Sequence, residues 1–185
     1  MRRLLVLMSS LLFSSLGLYA QEHPKYELFG GYSLLHNDGA NANGWEVSGA
    51  YNFNRWIGVK ADISGHYRSE SNEFLRFSAH HHFFTIGPQY SWRTKHATLF
   101  GHTLFGLARG DVYERVFFPR PPGFPTVFES GTNSFATIIG GGGDWNLGKQ
   151  FAVRGQLDYV QNSLFSQHEN HLRFSTGVVY RFGSH

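Results

Sequence analysis

An alternation of period 2, recurring along nearly the whole chain, constrains the fold more than any other feature. In the stretch LRFSTGVVYRF, 172–182, one side carries Leu172, Phe174, Thr176, Val178, Tyr180 and Phe182, and the other carries Arg173, Ser175, Gly177, Val179 and Arg181. Successive side chains point to opposite faces of a strand, so this is strand patterning. Eight such segments can be read: 26–35, 44–53, 56–67, 82–92, 97–108, 133–145, 151–160 and 171–182. Their lengths lie near the ~9–11 residues that a tilted strand needs to cross a hydrocarbon core, whereas strands of soluble proteins have a mode of about 5–6. A soluble sheet would bury the aromatic side and wet the arginines. A membrane-spanning barrel reverses that assignment.

The connections sharpen the choice. Residues 54–55, 93–96 and 146–150 read as tight turns, whereas 36–43, 68–81, 109–132 and 161–170 read as long loops. Short and long connections in strict turn imply an up-and-down meander with its tight turns at one end, the asymmetry of barrels with short periplasmic turns and long outer loops. The expected fold is all-β: an eight-stranded antiparallel up-and-down transmembrane β-barrel.

Across the segments one face collects Trp45, Val47, Ile57, Val59, Ile63, Ile86, Tyr90, Val153 and Leu157, with aromatic residues concentrated near segment ends as in interfacial girdles. The other face collects Glu46, Lys60, Asp62, His66, Asp144, Arg154, Asp158, Arg173 and Arg181. Its acids, Glu46, Asp62, Asp144 and Asp158, match its strong bases, Lys60, Arg154, Arg173 and Arg181. Buried charges persist only when paired and hydrogen-bonded, so balance is what a narrow, side-chain-filled lumen requires. Eight strands leave an interior just wide enough for side chains, which argues against a large diffusion pore. Segment 97–108 is ambiguous: Leu99, Thr103, Phe105 and Leu107 oppose a face holding Phe100, His102 and Leu104.

Composition agrees with export and with a lipid-facing surface. The basic start MRR, the apolar run to Leu18 and the sequence LYA before Gln21 read as a signal peptide over 1–20, leaving 21–185 as the barrel domain. There is no cysteine, so packing and backbone pairing must hold the fold. Aromatic residues make up 17% and charged residues 16%, against roughly 25% charged in an average soluble domain. The net charge of +3 carries no concentrated basic run, which argues against nucleic acid.

The pieces ELFGGYSLL, FFTIGPQYSWR, FATIIGGGGDWNLGKQFAVRGQLDYV and NHLRFSTGVVYRFG, in that order, resemble the small outer-membrane β-barrel domain family, related in shape to the transmembrane domain of outer-membrane protein A. The resemblance spans about 26–183. It implies an eight-stranded monomer in the outer membrane of a Gram-negative bacterium, surrounded by membrane lipid and lipopolysaccharide, without cofactor. It also implies recognition by the barrel-assembly machinery through an aromatic near the carboxyl end, here Phe182, although GSH follows it. The implied role is structural or surface-interacting.

Two other functions fit parts of the pattern. A secreted soluble lipocalin-like barrel would also alternate, with apolar side chains lining a ligand cavity. A lipid A-modifying enzyme would need a nucleophile, base and orienting acid, and Asp62, Ser64 and His66 share one strand face. His80, His81 and His82 alternate in facing, and nothing nearby completes a metal-ligand set, so no metal site is expected. For a partner, the best stretch is GDVYERVFFPRPPGFPTVFESG, 110–131, where prolines stiffen the backbone and phenylalanines supply contact area.

Overall fold

The computed structural model describes residues 23–37, 40–71, 75–116, 127–162 and 169–184. The segment read as a signal peptide lies outside them, as does 117–126 in the middle of the expected binding loop. The described chain forms eight strands: β1 (Pro24–Asn37), β2 (Ala40–Asn52), β3 (Ile57–Ser71), β4 (Leu75–Arg93), β5 (Ala97–Val116), β6 (Val127–Asn146), β7 (Phe151–Asn162) and β8 (Glu169–Ser184). They close in sequence order into one antiparallel barrel, β8 returning to β1 with Phe182 opposite Tyr26 and Arg173 opposite Leu35. Closure leaves the transmembrane part without a free sheet edge, a condition for a sheet that lives in lipid.

The tight turns form where side chains close them. Asn54 Oδ1 accepts hydrogen bonds from the amides of Trp56 and Ile57 at 2.8 Å each, and Thr94 Oγ1 accepts from the amide of Ala97 at 3.1 Å. These turns, the 147–150 turn and both ends of the described chain lie at one end of the barrel, the periplasmic end by the short-turn rule.

The expected long connections are eroded by strand. The stretch read as a loop over 109–132 is strand up to Val116 and again from Val127, with Arg115 opposite Val127. Strand likewise extends into 36–43, 68–81 and 161–170. Beyond the hydrocarbon no apolar outer face is needed, so the alternation fades while the backbone ladder continues.

The two faces are cleanly sorted. Trp45, Val47, Ile57, Ile86, Tyr90, Val153 and Leu157 point outward and are exposed, as are Leu99, Phe105 and Leu107 of β5. Phe100, His102 and Leu104 of the same strand are buried inside, which resolves its ambiguous facing. A soluble ligand-binding barrel would require the reverse arrangement.

Outer aromatics gather toward the two ends. Near the turns, Tyr26 stacks on Phe182 at 5.2 Å and Phe182 lies 5.6 Å from Tyr180, while Trp56 stacks on Tyr90 at 6.0 Å. Toward the outer end, Phe105 stacks on Phe135 at 6.4 Å, and the Trp45 ring covers Gly65, its Nε1 lying 3.1 Å from where a Cβ would sit.

Candidate functional site

The interior is the most chemically organised part of the molecule, and three layers compose it. The first, at the turn end, centres on Glu27 of β1. Its carboxylate accepts from Arg93 Nη2 at 2.6 Å, Arg154 Nη2 at 3.1 Å and Asn52 Nδ2 at 3.1 Å. Arg154 donates through Nε and Nη2 to the two oxygens of Asp144, at 2.7 and 2.9 Å. Arg181 reaches Asp144 at 2.5 Å and Asn146 at 2.6 Å. The Arg154 guanidinium lies 4.2 Å from the Phe100 ring centroid and 5.5 Å from that of Phe29. Bidentate pairing plus cation–π contact suits arginine and would not be reproduced by lysine.

The second layer is knotted around Arg173, which is 0% exposed. Its Nη1 donates to Asp62 Oδ1 and Ser64 Oγ, both at 2.9 Å, and its Nε and Nη2 donate to Asp158 Oδ2 at 2.9 and 2.6 Å. Lys60 Nζ donates to Glu46 Oε1 at 3.4 Å and Gln156 Oε1 at 3.1 Å. Gln156 returns its amide to Glu46 at 2.9 and 3.1 Å and to Asp158 at 2.8 Å. Ser175 donates to Glu46 Oε2 at 2.6 Å, and His102 Nε2 stands 3.0 Å from Asp158 Oδ1. The layer ties β2, β3, β5, β7 and β8 across the lumen.

The third layer, nearer the outer mouth, is apolar: Leu35, Ala42, Phe83, Leu104, Ala108, Ala136, Ile138 and Val160 form one buried cluster. Histidines border it, with His66 meeting Phe83 edge-on at 5.9 Å and His81 meeting His171 at 5.9 Å. Sequence reasoning missed this collar, because its strands carry apolar residues on both faces. It also missed Glu27, although Tyr26 and Leu28 on the opposite face signal it, and Arg93, which was read as part of a turn. With both added, five acids (Glu27, Glu46, Asp62, Asp144, Asp158) face five strong bases (Lys60, Arg93, Arg154, Arg173, Arg181) inside the barrel.

Asp62, Ser64 and His66 are buried together without forming a catalytic relay. Asp62 and Ser64 both accept from Arg173, while His66 Nε2 pairs with Ser33 Oγ at 2.9 Å. Ser33 in turn contacts Ser175 Oγ at 2.9 Å. Among the described residues no three His, Cys, Asp or Glu side chains converge as a metal-ligand set. The three consecutive histidines split as alternation requires. His81 lies opposite His66, whereas His80 and His82 flank Tyr67, with ring centroids at 5.2 and 5.6 Å.

No protein-family model matches the chain. No curated protein sequence matches it either. Solved structures do match in shape. The attachment invasion locus protein Ail of Yersinia pestis superposes with a TM-score of 0.61 at 19% identity, covering 86% of this chain and 100% of Ail. The same protein in complex with the heparin analogue sucrose octasulfate gives 0.60 at 18% identity, covering 88% and 99%. Neisserial surface protein A gives 0.57 at 12% identity, covering 85% and 96%. A closed eight-stranded antiparallel barrel, oily and girdled outside and ionic within, thus has the fold of small bacterial outer-membrane β-barrel proteins.

Proposed function

We propose that this protein is a monomeric, non-enzymatic outer-membrane barrel whose lumen is closed and whose work is done by the part that stands outside the membrane. The observation that carries this reading is the unequal height of the wall. Strands β4, β5 and β6 run 19, 20 and 20 residues, whereas β7 runs 12. Pairing of β5 with β6 continues out to Arg115 opposite Val127, but β6 pairs with β7 only from Ala136 opposite Asn162 inward. A one-sided sheet therefore projects from the mouth, and among the described residues 127–135 of β6 have no strand on the β7 side. An unpaired edge offers backbone donors and acceptors to an incoming chain. The Pro- and Phe-rich stretch 117–126 joins the two strands of this projection.

The surface role is supported by likeness to Ail, an attachment protein that binds a heparin analogue. Lipid and lipopolysaccharide surround the wall in this reading, and Phe182, exposed on β8 beside Tyr26, serves the assembly machinery as the aromatic near the carboxyl end.

Bacteria displaying the protein are expected to adhere to immobilised heparin or to epithelial monolayers. Replacing 117–126 by a Gly-Ser linker together with Asn133→Pro, whose amide lies on the β7 side of β6, should abolish adhesion while heat-modifiable migration persists. Equal adhesion by the variant, or none by the wild type, rejects the surface role.

A further inference from the structure

Charge is distributed unequally between the two ends of the barrel, and the periplasmic rim holds the imbalance. Each of the three tight turns there contributes one cation, Arg55 between β2 and β3, Lys95 between β4 and β5, and Lys149 between β6 and β7, and Lys25 at the start of β1 adds a fourth. Lys95 and Lys149 are exposed, and Lys25 and Arg55 are half-buried against aromatic rings. Lys25 Nζ lies 6.0 and 5.8 Å from the ring centroids of Tyr26 and Tyr51, and the Arg55 guanidinium 4.7 Å from that of Trp56. Lys149 lines a concavity with Leu147, Gly148, Gln150 and Phe151.

Among the described residues no carboxylate answers these four. The acids at this end, Glu27 and Asp144, point into the lumen and are engaged by Arg93, Arg154 and Arg181. The outer end differs among the described side chains, where Arg68 is paired with Glu70 and Arg109 with Asp111, each two residues along the strand.

We propose that this ring binds the anionic headgroups of phospholipids in the periplasmic leaflet, phosphatidylglycerol being the simplest. Position argues for lipid over an acidic protein. The cations lie around the whole circumference, where headgroups also lie, whereas a protein partner would cover one sector. They also stand at the edge of an exposed apolar wall formed by Phe53, Leu147 and Phe151, so a lipid satisfies both neighbours at once, its phosphate on the cation and its chains along the wall. The proposal rests on the barrel spanning a membrane with its tight turns inward.

Trp56, Trp92 and Trp145 sit near this rim and Trp45 near the opposite end, so tryptophan quenching by brominated lipid reads the site directly. Protein reconstituted in phosphatidylcholine vesicles should be quenched by dilute brominated phosphatidylglycerol with a relative binding constant about fivefold above that for brominated phosphatidylcholine, the worth of one basic residue at an anionic surface. The preference should fall toward one in 0.5 M salt. It should also vanish in Lys25→Gln/Arg55→Gln/Lys95→Gln/Lys149→Gln and persist in Arg68→Gln/Arg109→Gln. If the quadruple variant fails to fold, Lys95→Gln/Lys149→Gln, both exposed on turns, should halve the preference. Equal quenching by the two lipids in the wild type, or a preference that the rim substitutions leave intact, overturns the proposal. Absence of quenching by either lipid would instead show that the chain does not insert, and would remove the proposal with its premise.

Discussion

At the scale of single residues, the lumen rests on arginine geometry. Arg173 is the sole strong base hydrogen-bonded to Asp62 and Asp158 among the described contacts, and with Lys60 3.8 Å from Asp62 and shared with Glu46, its loss leaves more buried carboxylates than strong bases in that layer. Arg173→Leu should cost about 3–5 kcal/mol in urea unfolding followed by tryptophan fluorescence, the usual penalty for breaking a buried pair. Two neighbouring glycines make a sharper comparison. A Cβ on inward-facing Gly142 would lie 2.2 Å from the Gly155 carbonyl oxygen, whereas one on outward-facing Gly155 meets nothing within 4 Å. Gly142→Ala should therefore destabilise or block folding, while Gly155→Ala should stay within about 0.5 kcal/mol of wild type in the same assay. The facing of Arg173 and Arg181 was legible because each sits between two large apolar neighbours, and that of Arg154 because it alternates with Phe151, Val153 and Leu157 along β7. Leu104 and Ile138 were not, since β5 and β6 place large apolar or small residues on both faces and period alone cannot rank them.

At the scale of elements, strand number and order were legible, and strand ends were not. The rule that lipid demands an apolar outer face marks a strand only while lipid is present. Residues 111–116 and 127–132 leave that zone, and their turn-rich, proline-flanked composition reads as loop. Pairing maintains them nonetheless, with Tyr113 opposite Glu129, whose carboxylate raises the phenol above its ordinary pKa chiefly through a hydrogen bond. This projection has a dynamic signature. Amides in 127–135 of β6 that point toward β7 have no strand to receive them among the described residues, so they should exchange with deuterium orders of magnitude faster than amides of 138–145, which are paired on both sides. Comparable protection across β6 would mean that another segment covers the edge.

At the scale of the whole molecule, the interior is stacked as ionic, ionic and apolar layers, and under the closed-lumen proposal each would block ions differently. The two charged layers leave no spare counter-ion to exchange, and the collar around Leu104 and Phe83 offers no polar group to a hydrated ion. Planar bilayers holding the protein at neutral pH should accordingly show no sustained channel current. A steady conductance would contradict the proposed closed lumen. The same stacking also bears on how the barrel is completed. Arg173 and Arg181 sit on β8, the strand that closes the ring against β1, yet they neutralise acids on β3, β6 and β7. A barrel left open at β8 would hold Asp62 and Asp158 without Arg173 and Asp144 with Arg154 alone, so closing the circle also discharges the interior, and an unclosed wall carries buried charge that opposes its settling into lipid.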